Sequence, residues 1–122
     1  MKKAIYQIRD RELPEQIAKR IPEEWSGGSF IPPGWRNIVC MLDDELAEID
    51  PNYEIHQVKE KFGTLRFYFD HVNMEDEKRE KFDEVIRKYE AIADNACEVC
   101  GQPGERGATQ QLIFTRCKHH KE

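Results

Sequence analysis

The chain of 122 residues has no apolar run of 18 or more residues, so none of its apolar stretches is long enough to cross a bilayer as a helix. Polar side chains interrupt the first nine residues too early for the apolar region of a secretory signal peptide. Cysteine is scarce, with four in the whole chain. We therefore expect a cytoplasmic protein with no membrane partner, in which reduced thiols serve as metal ligands rather than forming disulfides.

The short motifs of common catalytic sites are missing as well. The sequence has no Gly-rich phosphate loop, no Gly-x-Ser-x-Gly turn and no carboxylate pair placed beside a histidine. Residues 101–116 contain no histidine, whereas HNH nucleases need one on the hairpin strand of their metal site. We therefore expect a protein that is not an enzyme.

Basic charge is scarce in the middle of the chain. The net charge is −5 and the isoelectric point about 5.4, which argues against a dedicated nucleic-acid binder. Residues 37–58 contain no lysine or arginine and carry six carboxylates: Asp43, Asp44, Glu45, Glu48, Asp50 and Glu54. Two interpretations stay open for the first four of these. They form either a solvated helix face, neutralised by the basic residues of 59–66, or a surface that attracts a cationic partner.

A metal-ligand pattern lies near the end of the sequence. Cys97-x-x-Cys100 is followed, after sixteen residues, by Cys117-x-x-His120. Each short pair forms a tight turn that brings two ligands within about 4 Å, and the segment between the pairs folds back as a hairpin. The sequence therefore predicts one tetrahedral zinc ion held by Cys97, Cys100, Cys117 and His120.

The predicted zinc is structural, because four good ligands leave no coordination position for water. His119 is the alternative fourth ligand, although a spacing of three places His120 beside Cys117 on a helical turn. Gly101 suits the left-handed turn of a zinc knuckle. A knuckle, a hairpin and a turn with the last two ligands is the layout of a treble-clef finger. Cys40 lies in an apolar helical stretch and is predicted to be a small buried hydrophobe.

The rest of the chain predicts an α+β fold, in which a small antiparallel hairpin packs with two or three helices. One helix is expected to begin at Pro14 and to end at Pro22. A second is expected between Trp35 and Pro51. Alternating residues over 53–69 predict a β-hairpin, with Gly63 as the left-handed residue of a three-residue turn.

A third helix is predicted to begin at an Asn73 cap and to continue into Cys97, with favourable i,i+4 ion pairs on its outer face. Beyond Cys97, Gly107 is expected in a turn and Thr109–Thr115 in a strand.

Two parts of the chain are expected. Residues 1–96 form a helix-and-hairpin body, and residues 97–122 form a zinc module that is rigidly continuous with it. For Ala4–Arg9 the sequence leaves a strand and a helix equally open.

Three stretches occur together: Gly34-Trp35 before an acidic helix, Gln-Val-Lys-Glu-Lys-Phe-Gly-Thr-Leu-Arg-Phe-Tyr over 57–68, and Cys97-Glu-Val-Cys100-Gly-Gln-Pro-Gly104 with Thr115-x-Cys117-x-x-His120. Together they resemble a family of small bacteriophage and prophage proteins of unknown function, over roughly residues 34–120. The block over 57–68 is the most specific of the three. The resemblance implies a phage or prophage accessory protein in the bacterial cytoplasm with a zinc site, and it implies no mechanism.

Two classes of function follow. In the first, the zinc-stapled body presents the acidic helix to a host protein, such as a defence factor, and inhibits it through long-range charge attraction. In the second, the zinc module binds nucleic acid through its basic tail: Arg106, Arg116, Lys118, His119 and Lys121. The acidic isoelectric point makes the first class the stronger hypothesis.

Overall fold

The computed structural model of the protein describes residues 12–121. The segment Ala4–Arg9 lies outside the described residues. Within 12–121 the chain forms three helices and two separate two-stranded antiparallel sheets, which confirms the predicted α+β class. The elements in chain order are α1 (Glu15–Ala18), α2 (Arg36–Ile49), β1 (Ile55–Lys61), β2 (Thr64–Phe69), α3 (Asp76–Ala93), β3 (Glu105–Ala108) and β4 (Ile113–Arg116). None of the helices in this range is both long and apolar enough to cross a membrane.

Helix α2 follows the predicted pattern closely. It begins after a 3-10 turn at Pro33–Trp35 and ends at Ile49, two residues before Pro51, which stops it. Its apolar residues recur every three or four positions, which places them in one stripe that faces the core. The buried members of that stripe are Ile38, Val39, Leu42 and Leu46.

The β1–β2 hairpin is present, but its turn has two residues and not the three expected. Lys61 pairs with Thr64, and the turn between them is Phe62-Gly63. Both turn residues are left-handed, with φ of 55° and 78°. Such a turn matches the right-handed twist of the flanking strands, which is why two-residue hairpins favour it. Gly63 therefore has the predicted conformation in a tighter turn.

Helix α3 begins later than predicted. Its N-cap residue is Glu75, and the expected Asn73 cap is wrong. Among the described residues, Glu77–Lys81 is the one predicted i,i+4 pair within ion-pair distance, at 3.9 Å. Lys88 instead reaches Glu45 on α2, with 2.8 Å between Nζ and the carboxylate. A contact between helices thus replaces the expected contact within one helix.

The core lies between the inner face of the hairpin, α2 and α3. Tyr53, Phe69 and Phe82 form an aromatic group in which the Phe82 ring centroid lies 5.2 Å from Tyr53 and 5.0 Å from Phe69. Ring pairs at such distances add to the free energy gained by burial. Trp35 and Phe82 are the largest of the fully buried side chains in this core.

Both edges of the hairpin have partners. Phe30 donates its N–H to the Val58 carbonyl at 2.9 Å, and Ser29 Oγ accepts the Val58 N–H at 3.0 Å, so the loop before α2 lies along β1. On the other edge, the carboxylate of Glu90 on α3 accepts the Phe67 N–H at 3.3 Å.

The C-terminal hairpin differs from the prediction in its bounds. Gly107 lies within β3, opposite Phe114, and not in a turn. The strand expected over Thr109–Thr115 is shorter than predicted. Thr109 donates its N–H to the Leu112 carbonyl, so the first four of these residues form a turn. The strand β4 therefore starts only at Ile113 and ends directly before Cys117.

Asp43 lies inside the protein, 2% exposed, and not on the exposed face of α2 that both interpretations of the sequence assumed. Its carboxylate lies 2.6 Å from Nε of Arg20, which is itself nearly buried, and it accepts hydrogen bonds from the Tyr53 hydroxyl and, at 2.9 Å, from Gln16 Nε2. Burial and the Asp43 carboxylate together raise the pKa of Tyr53 above its usual range, so the phenol remains a donor. Asp43 thus ties α1 and the strand entry to α2.

We predict that Asp43→Ala lowers the free energy of unfolding by about 3–5 kcal/mol, because it leaves the Arg20 guanidinium buried without its counter-charge. Asp44→Ala is the matched control, since Asp44 is the next residue on the same helix and is exposed. Its cost should stay within about 0.5 kcal/mol. Urea unfolding followed by circular dichroism measures both values, and equal losses in the two variants would contradict this role of Asp43.

Candidate metal centre

Two short segments bring the predicted ligands together. Cys97–Gln102, which we call the knuckle, begins four residues after Ala93, the last residue of α3, and turns sharply, with Gly101 at φ 82°. The Gly101 N–H bonds the Cys97 carbonyl at 2.8 Å, and the Cys97 N–H bonds the Gln102 carbonyl at 2.7 Å. At the other end, Cys117 follows β4 directly, and a turn in which His120 N–H bonds the Cys117 carbonyl at 3.0 Å brings the imidazole back.

The ligand atoms have the spacing of a metal site. One atom from each of Cys97, Cys100, Cys117 and His120 lies within 4.8 Å of the other three. The sulfurs of Cys100 and Cys117 are 3.7 Å apart, and His120 Nδ1 lies 3.7 Å from the Cys97 sulfur and 3.2 Å from that of Cys117. Ligands about 2.3 Å from a tetrahedral ion stand about 3.8 Å from one another. A disulfide needs about 2.05 Å between sulfurs, and all the cysteines of the described part are free.

The thiol environments favour deprotonation at one cysteine and oppose it at another. Burial alone would raise the pKa of Cys97, but hydrogen bonds from the backbone N–H groups of Cys117, Cys100 and Val99 outweigh it and lower that pKa to about 7. At Cys100 the backbone N–H of Gln102 favours the thiolate, whereas burial and the sulfurs of Cys97 and Cys117 raise the pKa above its ordinary value. Thiolates this close together therefore repel one another, and a bound cation relieves that repulsion.

The cluster selects between the two histidines. His120 contributes Nδ1 to it, while His119 is exposed and is not a member of the cluster within residues 12–121. Cys40 is also separate, on α2, where burial and the carboxylates of Asp44 and Asp43 raise its pKa and keep it a thiol. The C-terminal part thus has the knuckle and the hairpin of a treble-clef layout, and Cys117–His120 is a turn within the described residues.

The knuckle lies directly against the start of α2, a contact that the ligand pattern alone does not reveal. Gly34 N–H bonds the Glu98 carbonyl at 2.8 Å, and Trp35 Nε1 bonds the Ala96 carbonyl at 2.9 Å. A Cβ on Gly34 would lie 2.0 Å from the Cys97 carbonyl oxygen and 2.6 Å from the Gly101 nitrogen. Only glycine permits this approach. In the sequence, the dipeptide Gly34-Trp35 was the one sign of this contact, and it did not indicate that the knuckle is its partner.

A second contact joins β4 to the tip of the β1–β2 hairpin. Thr115 donates its hydroxyl to the Gly63 carbonyl at 2.7 Å, and its N–H bonds the Glu98 carboxylate at 3.0 Å. Glu98 also lies 3.5 Å from Nε of Arg116, and both side chains are 5% exposed. The Thr115–Gly63 contact crosses the boundary between residues 1–96 and 97–122, whose division into two parts stays a prediction.

The four acidic residues proposed as a partner surface do not share one environment. Asp43 is buried, as described above. The Glu45 carboxylate accepts hydrogen bonds from Lys88 and from the Tyr89 hydroxyl, which lower its pKa and raise that of Tyr89 to about 12. Asp44 and Glu48 are exposed, and Asp44 accepts a hydrogen bond from Gln16 at 3.1 Å. The basic groups that neutralise this helix are thus Arg20 and Lys88, and not the expected ones at 59–66.

The basic tail is largely neutralised by carboxylates of its own surroundings. Arg116 is buried beside Glu98, Arg106 donates to Asp94 at 2.6 Å, and Lys121 lies 3.5 Å from Glu105. Lys118 and His119 are the members of the predicted basic set that take part in none of the ion pairs between described residues.

Comparison of the chain with protein-family models, with curated proteins and with solved structures gave no match.

We predict that Gly34→Ala lowers the free energy of unfolding by about 2–3 kcal/mol, because the new methyl group forces the knuckle away from α2. Gly28→Ala is the matched control, since its nearest non-neighbouring atom is a flexible side-chain nitrogen at 3.4 Å. That variant should unfold within about 0.5 kcal/mol of the parent. Urea titrations of the three proteins make the comparison, and a Gly34→Ala protein as stable as the parent would rule out the close contact.

Proposed function

We propose that the protein is a non-enzymatic accessory protein of bacteriophages or prophages, which uses a structural zinc ion to hold a rigid surface against a host protein. The observation that carries the zinc assignment is the convergence of Cys97, Cys100, Cys117 and His120 within 4.8 Å of one another. Three thiolates and an imidazole suit zinc, because soft sulfur ligands in a tetrahedral set favour it over magnesium, calcium or manganese.

A structural role fits the position of these ligands better than a catalytic one. They come from the knuckle after α3, from the residue that follows β4 and from the turn after it, so an ion bound there would join the knuckle to the end of the C-terminal hairpin. All four coordination positions are taken by side chains, whereas catalytic zinc keeps one for water or substrate. The binding free energy of such an ion would add to the free energy of folding.

The host-protein partner rests on the acidic surface of α2 and on the resemblance to phage and prophage proteins. In the folded chain this surface consists of Asp44 and Glu48, with Glu45 at its border against Lys88. Carboxylates arranged on a rigid helix attract a basic surface over a distance and compete with nucleic acid for it. A host defence factor that binds nucleic acid has such a basic surface.

Nucleic-acid binding by the zinc module is the weaker alternative. Ion pairs with Glu98, Asp94 and Glu105 occupy three of its five basic residues. The remaining Lys118 and His119 offer little charge for phosphate contacts, on which the affinity of nucleic-acid binders depends.

For the metal, we expect the purified protein to contain one equivalent of zinc by elemental analysis. Cys97→Ser should lose most of that zinc and should melt at a lower temperature, because the thiolate it lacks is one of the four ligands. His119→Ala and Cys40→Ser are matched controls that should keep the full equivalent, since neither residue belongs to the cluster. A folded parent protein without metal would refute the assignment.

For the partner, we expect Asp44→Lys with Glu48→Lys to abolish capture of the host protein by the tagged protein in an infected or lysogenic bacterium. The physical reason is the reversal of charge on the exposed face of α2. Glu80→Lys with Glu84→Lys makes the same change in net charge on the exposed face of α3 and serves as the control. Capture that survives the α2 change, or that is lost equally in both variants, would remove the acidic face as the binding surface.

A further inference from the structure

The outer face of the β1–β2 hairpin carries only one sign of charge. The strand register places six side chains on this face, opposite to the one that packs on the core: Gln57, Lys59, Lys61, Thr64, Arg66 and Tyr68. Three of them are cations and none is a carboxylate, in a chain with 24 Asp and Glu against 19 Lys and Arg. We call these six residues the hairpin face.

The cations of the hairpin face lack close carboxylate partners in the part of the chain that the structure describes. Among residues 12–121, no ion pair involves Lys59, Lys61 or Arg66. Arg66 donates its Nε–H to Thr64 Oγ1 at 2.9 Å, a neighbour on the same face. Glu60 and Glu90, the nearby carboxylates, accept the N–H groups of Gly63 and Phe67. Burial raises the pKa of Glu90, and the nearby charge of Arg66 opposes that rise. The face therefore presents three cations to an outside ligand, and Glu90 partly offsets the charge of one of them, Arg66.

Exposed aromatic rings frame these charges. Tyr68 lies on the face and is 44% exposed, and Phe62 at the hairpin tip is 59% exposed, with Lys61 Nζ 5.5 Å from its ring centroid. At the other end of the hairpin, Trp25 is 45% exposed and stacks one side of its indole on His56, with 4.1 Å between ring centroids. Exposed aromatic rings beside cations offer flat surfaces on which the bases of a charged ligand can stack.

Phe62 is the most unusual of the three aromatic residues. Its φ of 55° lies in the left-handed region, where glycine, asparagine and aspartate are the residues that two-residue hairpin turns prefer. An exposed phenylalanine there costs the fold backbone strain and gains little burial. Strain of this kind, retained at an exposed position, points to a role in binding rather than in folding.

We propose that the hairpin face binds single-stranded nucleic acid, with Lys59, Lys61 and Arg66 contacting phosphates and Phe62, Tyr68 and Trp25 stacking on unpaired bases. A β-sheet face with cations between exposed aromatic rings is the arrangement that such strands require, because every base has a ring face and every nucleotide a negative charge. This site is separate from the zinc cluster and from the acidic face of α2, so it goes beyond the proposed function.

The test uses the full-length, zinc-loaded protein and fluorescein-labelled oligothymidylate or oligouridylate of about 12 nucleotides, within the range that single-strand binding folds occupy. We expect binding at low salt whose logarithmic dependence on salt concentration has a slope of about −2, because three phosphates are neutralised. A duplex of equal length should bind more weakly, since its bases are already stacked. Equal or tighter binding to the duplex would contradict the stacking role, and no binding to either single strand would overturn the proposal.

Charge variants locate the site. Replacing Lys59, Lys61 and Arg66 together with alanine should weaken binding at least tenfold and bring the salt slope close to zero. Replacing Lys19, Lys81 and Lys88 together removes the same charge from exposed positions, one directly after α1 and two on α3, and should change affinity less than threefold. Equal losses in the two triple variants would mean that net charge and not the hairpin face attracts the strand. Displacement of the oligonucleotide by oligoglutamate of equal charge would assign the face to an acidic protein segment and overturn the proposal.

Phe62→Asn separates binding from folding. Asparagine adopts the left-handed conformation readily, so this variant should melt at or above the temperature of the parent. Its affinity for the oligonucleotide should nevertheless fall severalfold, because the tip ring is lost. Unchanged affinity in this stably folded variant would exclude Phe62 from the site.

Discussion

The structure depends on a close contact between two backbone segments that leaves no room for a side chain. Gly34 at the entrance to α2 lies so close to the knuckle that a Cβ would overlap the Cys97 carbonyl, and its N–H bonds the Glu98 carbonyl. Trp35, the next residue, is fully buried in the core and donates to the Ala96 carbonyl. The same two residues therefore anchor α2 and position the segment that carries two of the four metal ligands. Packing in the body and geometry in the cluster are consequences of one contact.

Two buried ion pairs hold elements that lie far apart in the chain. Arg20 with Asp43 joins the α1 segment to α2, and Glu98 with Arg116 lies beneath the C-terminal hairpin. Burying a charge costs several kcal/mol, and the attraction between partners offsets that cost only when further hydrogen bonds satisfy the remaining atoms. Tyr53 and Gln16 do this for Asp43, and the Thr115 N–H does it for Glu98. The Nε atoms of Arg20 and Arg116 have no hydrogen-bond partner within the described residues, so the net stability that each pair adds is small.

Local patterns in the sequence predicted the elements, and contacts between distant residues explain the differences. The bounds of α2, the hairpin and the four clustered ligands follow from spacing alone, because each depends on residues a few positions apart. The burial of Asp43 could not be predicted, since its partners lie 23 residues before it and 10 residues after it. The Asn73 cap was wrong because α3 begins only at Asp76, and Lys88 turned to α2 because Glu45 lies within reach across the helix interface. Glycine is common in turns, but Gly107 pairs with Phe114 in the β3–β4 sheet, and that pairing exists only in the folded hairpin.

The loop that lies along β1 has a consequence for how molecules of this protein meet one another. A two-stranded sheet ordinarily has two open borders, each able to recruit a strand from a second molecule and to start aggregation. Here Ser29 and Phe30 occupy the backbone groups of Val58 on one border, and the Glu90 carboxylate blocks the middle of the other. Growth of the sheet from molecule to molecule is therefore opposed on both sides, although the hairpin contains one of the most apolar strands of the chain.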